Sequence, residues 1–167
     1  RSRRPPALSS STSSAPSDPL LKMAQEGDAE TQVAMGIRYY KGEDAPKDYA
    51  KSVEWWSRAA EQGNADGQFF LGAMYASGEG VAKNEVKAVE LFRKAAEKGH
   101  AYAQNDLGDM YYFGRGVSRD YVTAVVWFRK AADQGHVDAQ YSLGWMYEQG
   151  EGLSKDETKA AEWYRKA

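Results

Sequence analysis

Around residues 100 to 135 apolar side chains return at helical spacing. Ala103, Leu107, Met110 and Tyr111 fall at i, i+4, i+7 and i+8, one stripe of an amphipathic helix that Gly114 and Gly116 end. Asp120 is a favourable N-cap for a second helix running from Tyr121 to about Gln134. Ala124, Trp127, Phe128, Ala131 and Ala132 stripe that helix, and Gly135 stops it. The same pattern stands 36 residues earlier and later. Gln32, Gln68, Gln104 and Gln140 form one series at that spacing, and Gly36, Gly72, Gly108 and Gly144 a second. Tyr39, Tyr75, Tyr111 and Tyr147 form a third, and Gly42, Gly78, Gly114 and Gly150 a fourth. A fixed period in this range marks stacked supersecondary units, none of which buries its apolar face alone. The pattern predicts an all-α chain, an α-solenoid of four 36-residue helix-turn-helix repeats.

The small residues read as packing. Glycine in a helix interior costs about 1 kcal/mol against alanine, so its return in every unit calls for a close contact. An aromatic from the second helix pressing on the bare backbone supplies one, and Trp56, Phe92, Phe128 and Tyr164 hold that periodic position. The pairs Ala59-Ala60, Ala95-Ala96 and Ala131-Ala132 let helices approach in the same way. Asp48, Asn84 and Asp156 repeat the capping role of Asp120, while His100 and His136 stand where Asp28 and Asn64 cap the first helices of earlier units.

Composition changes this picture at one end. Residues 1–17 hold seven Ser, three Arg and three Pro with no acidic residue, too little apolar surface to offset the entropy of ordering them. They read as a flexible leader, a tether behind an export signal or lipid anchor, which favours a periplasmic or otherwise exported location over a cytoplasmic one. Without its three arginines the overall charge of −2 becomes −5, so the remainder is mildly acidic and unsuited to nucleic acid. No apolar run spans a bilayer. The absence of cysteine excludes disulfides and thiol catalysis.

The run Leu71-Gly72-Ala73-Met74-Tyr75, the loop Gly78-Glu79-Gly80-Val81 and the ending Phe92-Arg93-Lys94-Ala95-Ala96 recur with small changes from Leu107 to Gly135. This unit resembles the Sel1-like repeat, a relative of the tetratricopeptide repeat. The resemblance covers about Ala29 to the C-terminus, in units of about 29–64, 65–100, 101–136 and 137–167. The first unit departs from it, with Asp44 for the second loop glycine and Met35 for leucine, which bears on the conformation of that loop. Residues 18–28 resemble the last part of a preceding second helix, an N-terminal capping remnant, since Ala24 and Gly27 match Ala60 and Gly63. The fourth unit stops at Ala167 before the usual AAxxG ending and the chain starts at Arg1, both as expected of an excerpt from a longer protein.

The resemblance implies a right-handed superhelix whose first helices line a concave side. Aligned on the Leu-Gly-x-x-Tyr core, the concave positions include Glu30, Val33, Ile37, Tyr40 and Lys41, then Asp66, Phe69, Ala73, Ala76 and Ser77. They continue with Tyr102, Asn105, Asp109, Tyr112 and Phe113, then Asp138, Tyr141, Trp145, Glu148 and Gln149. Aromatics in a groove give large contact area at low entropy cost. The partner-binding set is therefore Val33, Ile37, Tyr40, Phe69, Tyr102, Asp109, Tyr112, Phe113, Tyr141, Trp145 and Glu148.

The expected function is a non-enzymatic protein-protein interaction scaffold, a monomer before it binds. Its partner is a protein or peptide with apolar and basic residues, held in an aromatic, acidic groove. The alternative is a dedicated inhibitor, such as an immunity protein that neutralises a secreted toxin by 1:1 binding; a hydrolase is the second alternative. No cofactor or metal is expected, because two histidines on successive repeats do not converge with other ligands. The Gly-x-Gly-Val loops follow helices and lack the Lys-Ser/Thr ending of phosphate loops. Asp106 and Asp109 read as solvated face, and no Ser/His/Asp or Cys/His set assembles.

Overall fold

The computed structural model describes residues 17–167; the leader read over 1–17 lies, Ser17 apart, outside them. The described residues form helices α1 (Pro19–Gln25), α2 (Ala29–Lys41), α3 (Tyr49–Glu61), α4 (Ala65–Ser77) and α5 (Glu85–Glu97). Helices α6 (Ala101–Phe113), α7 (Tyr121–Asp133), α8 (Val137–Gln149) and α9 (Glu157–Lys166) complete them. Each helix packs chiefly on its neighbours in sequence, so the chain is an all-α solenoid of helical hairpins.

The ends of these helices are set by the residues the repeat conserves internally. The first helices stop at Gly42, Gly78, Gly114 and Gly150, all left-handed with φ from 67 to 77°. The second helices start at Asp48, Asn84, Asp120 and Asp156, whose side chains accept from the amide N–H three residues on. Histidine caps α6 and α8: Nδ1 of His100 accepts from the Ala103 amide at 3.2 Å, and that of His136 from Ala139 at 3.3 Å. A ring nitrogen that accepts carries no proton, so neutral His100 has its proton on Nε2, which donates to Asp66 Oδ1 at 2.9 Å.

Within each hairpin the mid-helix glycine meets the expected aromatic. A Cβ on Gly108 would lie 2.7 Å from Cδ1 and Cε1 of Phe128; on Gly72 it would lie 2.9 Å from Phe92, and on Gly144 2.7 Å from Tyr164. The Trp56 indole closes on Gly36 in the same way, and its Nε1–H donates to the Val33 carbonyl at 3.2 Å.

Two further devices stack one hairpin on the next. The second loop glycine presses on the start of the previous second helix: a Cβ on Gly80 would lie 2.5 Å from the Tyr49 carbonyl, and Gly116 and Gly152 sit likewise against Glu85 and Tyr121. Asp44 takes the same left-handed conformation, φ 60°, and accepts from Arg38 at 3.1 Å, so the first loop keeps the conformation of the other three without the glycine. Arg38 also pairs with Asp18, the N-cap of α1. The buried glutamines tie helices together: Gln104 Nε2 donates to the Ala96 carbonyl at 3.1 Å, and its Oε1 accepts from Gln134 at 2.7 Å. Gln62 supplies the matching donor to Gln32 at 2.8 Å, and Lys98 to Gln68 at 3.3 Å.

Candidate partner-binding trough

Three hollows follow one another between the first helices. The first, about 600 Å³, lies between α2 and α4 and is lined by Ile37, Tyr40, Phe69 and Phe70, with Trp56 beneath. The second, about 350 Å³, lies between α4 and α6, with Ala73, Ala76 and Ser77 facing Asp106 and Asp109 above Phe92. The third, about 290 Å³, lies between α6 and α8 and is lined by Tyr112, Phe113, Tyr141 and Trp145 above Phe128. Ala73 and Ser77 belong to the first and second hollows, and Asp109 to the second and third, so the hollows join into one trough. Under each lies the aromatic that presses on a mid-helix glycine.

None of the seven candidate rings is sealed. Tyr40, Tyr102, Phe113, Tyr141 and Trp145 are exposed, and Phe69 and Tyr112 are half-buried. They are held in place by one another. Trp145 Nε1–H donates to the Tyr112 hydroxyl at 3.2 Å, which donates to Glu151 Oε2 at 2.8 Å. Burial first, and the bond to Glu151 second, push the Tyr112 phenol above its ordinary range. Phe113 packs edge-on against Tyr112 with centroids 4.9 Å apart. Tyr141 stands 5.3 Å from Tyr164, whose hydroxyl donates to Glu148 Oε2 at 2.7 Å.

The structure redraws parts of the expected set. Val33 is 6% exposed and so presents little surface to a partner. Tyr102, 62% exposed, is outside the three joined hollows; it meets His136 edge-on at 4.7 Å near the helix N-termini. The carboxylates do not form a uniform ring. Glu30 accepts from Asn64 at 3.0 Å, Asp66 from His100 and Glu148 from Tyr164, so these three brace the scaffold. Asp109, by contrast, is no solvated surface group: burial, then the nearby Asp106, raises its carboxyl to about 6. Burial raises Asp106 as well.

Three participants escaped sequence reasoning. Phe70 stacks on Trp56 at 4.9 Å in the first hollow, yet it lies one position off the aligned concave set. Glu151 sits in a loop and reaches the trough only through folding. Asp106 is turned into the second hollow although the concave alignment passes over it. Phe70 and Asp106 share a repeat position with Ser142, and Glu151 shares another with Glu79 and Arg115, but the residue type changes from unit to unit, so neither series stands out by identity.

The fold defines a solenoid of helical hairpins. The Sel1 repeat model matches residues 29–64, 65–100, 101–136 and 137–167, and the chain belongs to the Sel1 repeat family. Sel1 repeats generally mediate protein-protein interaction. A protective antigen present in uropathogenic Escherichia coli strains, displaying an SLR fold, is similar over 88% of this chain and 32% of its own, with 42% identity and a TM-score of 0.85. A Sel1 repeat protein from Oxalobacter formigenes is 37% identical over 87% of this chain and 60% of its own, with a TM-score of 0.80. The chain thus spans about a third and three fifths of these two relatives. An immunity protein from Pseudomonas aeruginosa shares the fold at 23% identity and a TM-score of 0.60, over 88% of this chain and 54% of its own. No curated protein is similar enough in sequence to match.

Proposed function

We propose that this chain is a non-enzymatic scaffold that holds a segment of a partner protein in the trough between its first helices. The observation that carries this reading is the row of three joined hollows, the first and third walled by exposed rings that the repeat's own packing leaves partly uncovered. Interlocked rings lose little freedom on binding, so the scaffold contributes contact area at small entropic cost. Mild acidity along the trough favours a partner with apolar and basic side chains. Both histidines use Nδ1 to cap a helix, which takes that nitrogen out of acid-base work. A second reading, a dedicated inhibitor of the immunity type, draws on the P. aeruginosa immunity protein with the same fold. Affinity separates the two: an inhibitor forms a 1:1 nanomolar complex, an adaptor binds several segments weakly.

The test replaces Tyr112 and Trp145 by alanine together. Capture of the partner from native extract, quantified by mass spectrometry, drops on the order of 10²-fold, since central aromatic anchors are worth about 2 kcal/mol or more each. Retained capture with intact helical circular dichroism moves the site away from the trough.

A further inference from the structure

The middle hollow differs in chemistry from its neighbours. Ala73, Ala76 and Ser77 make one wall low and smooth, and Asp106 and Asp109, one helical turn apart on α6, make the other. Both carboxylates are half-buried, and among the described residues neither forms an ion pair. The Asn105 amide donates to Asp106 Oδ1 at 3.3 Å. Asn105 is itself 6% exposed, and its Oδ1 has no donor among the described residues. Two partly desolvated carboxylates thus share one wall, with the Asn105 amide as the one side-chain donor to them among the described residues. Half-burying an anion is unfavourable until a counter-charge reaches it. Arg115 borders the same hollow and attracts Asp109 through space without contacting it.

We propose that this hollow receives an arginine or lysine side chain of the partner segment, flanked on either side by apolar side chains that enter the first and third hollows. This rests on the trough reading above and adds an order of chemistry to it. The alkyl stem of the basic residue lies against the alanine wall, and its N–H donors meet Asp106 and Asp109, a charge-assisted arrangement. Successive first helices touch only sparsely, so they stand at the wide end of helix packing, roughly 10 Å or more apart, and an extended chain advances about 3.3 Å per residue. One hollow per repeat then corresponds to about three residues, which gives the order apolar-x-x-basic-x-x-apolar in the bound segment.

A random dodecapeptide library displayed on phage and selected on the full chain tests this, with affinities of synthetic peptides read by fluorescence anisotropy. The selected peptides carry arginine or lysine with apolar residues about three positions to each side. Replacing the basic residue by citrulline or norleucine weakens binding at least tenfold. The Asp106→Asn/Asp109→Asn chain binds the basic peptide at least tenfold more weakly and the citrulline peptide unchanged; the single variants, near-isosteric with the parent, serve if the pair unfolds. Peptides lost on Tyr112→Ala/Trp145→Ala but lacking a basic residue, or indifferent to the asparagine variants, overturn this inference and leave the trough reading standing. Selected peptides that still bind the Tyr112→Ala/Trp145→Ala chain, or no selection at all, overturn both. Calcium alone raising the melting temperature through Asp106 and Asp109 also overturns the inference, by making the pair a metal site.

Discussion

Gly108→Ala tests the contact that fixes each hairpin. Taken alone, the substitution improves helix propensity by about 1 kcal/mol. The added Cβ, however, would stand 2.7 Å from Cδ1 and Cε1 of Phe128 and 3.1 Å from Cγ. Ordinary carbon contacts sit at about 3.5–4.0 Å, so the ring must retreat by nearly an ångström. Phe128 is 1% exposed, and its one open side among the described residues is the third hollow that it floors. Overpacking costs about 1–3 kcal/mol in a close-packed core, and a rigid buried ring belongs at the upper end. The net expectation is destabilisation by about 1–2 kcal/mol, a loss of roughly 2–8 °C in melting temperature for a domain of this size. Thermal and urea unfolding followed by circular dichroism measure it.

The decisive version is a double-mutant cycle with Phe128→Leu. A leucine leaves room for the new methyl, so in that background Gly108→Ala expresses its propensity gain and stabilises. The coupling between the two sites is then about 2–3 kcal/mol, above the few tenths expected of independent positions. A Gly108→Ala protein as stable as the parent, or strict additivity in the cycle, refutes the argument that glycine recurs here to admit the ring.

Three further predictions follow from the stacking and the charges. Gly116→Asp drives a Cβ into the Glu85 carbonyl and costs about 2 kcal/mol or more in urea unfolding, whereas Asp44→Gly, at the equivalent loop position, leaves the melting temperature nearly unchanged. Asp109→Asn removes a carboxyl whose pKa is raised from 3.8 to about 6 in the fold. The native state holds that proton more tightly, so the parent loses this contribution as pH rises from 4 through 6. The asparagine variant therefore gains relative stability between those values and keeps it at pH 8; parallel melting curves from pH 4 to 8 rule this out. Lastly, Gln140 Oε1 is buried without a donor. Gln62, Lys98 and Gln134 supply that donor in the other units, and the next position in the series is 170. A chain that carries glutamine at 170 is about 1 kcal/mol more stable than the same chain with leucine there; equal melting temperatures for the two count against it.

Much of this architecture was legible because a repeat states each rule four times. The phase of Gly36, Gly72, Gly108 and Gly144 against Trp56, Phe92, Phe128 and Tyr164 identified a contact before any coordinate did, and the structure places every pair. The histidine caps were legible for the same reason. What stayed hidden belongs to single units or to the joints between them. The glutamine series was visible, but its bonds to the backbone and to Gln62, Lys98 and Gln134 depend on how hairpins stack. The second loop glycine was read from its backbone freedom; its closeness to the previous helix is the stronger constraint, and Asp44 separates the two, since it adopts the conformation with a side chain. Asp106 and Asp109 looked like surface because sequence spacing reports the face of a helix and not the depth of the hollow beside it.

The rings that hold each hairpin together also floor the trough, which makes the trough a consequence of the repeat rather than an addition to it. Trp56, Phe92 and Phe128 each press on a glycine of one helix and floor the hollow beside it. Tyr164 presses on Gly144 but floors no such hollow, since among the described residues no further first helix follows α8. A change that lifts one of these rings must therefore alter one hollow and spare the others. Gly108→Ala should weaken side chains bound in the third hollow while leaving those in the first untouched; Gly36→Ala should do the reverse. Peptide variants truncated at one apolar anchor or the other read this directly. If both glycine substitutions weaken both anchors equally, the hollows respond to global loosening, and the link from glycine to ring to hollow is broken.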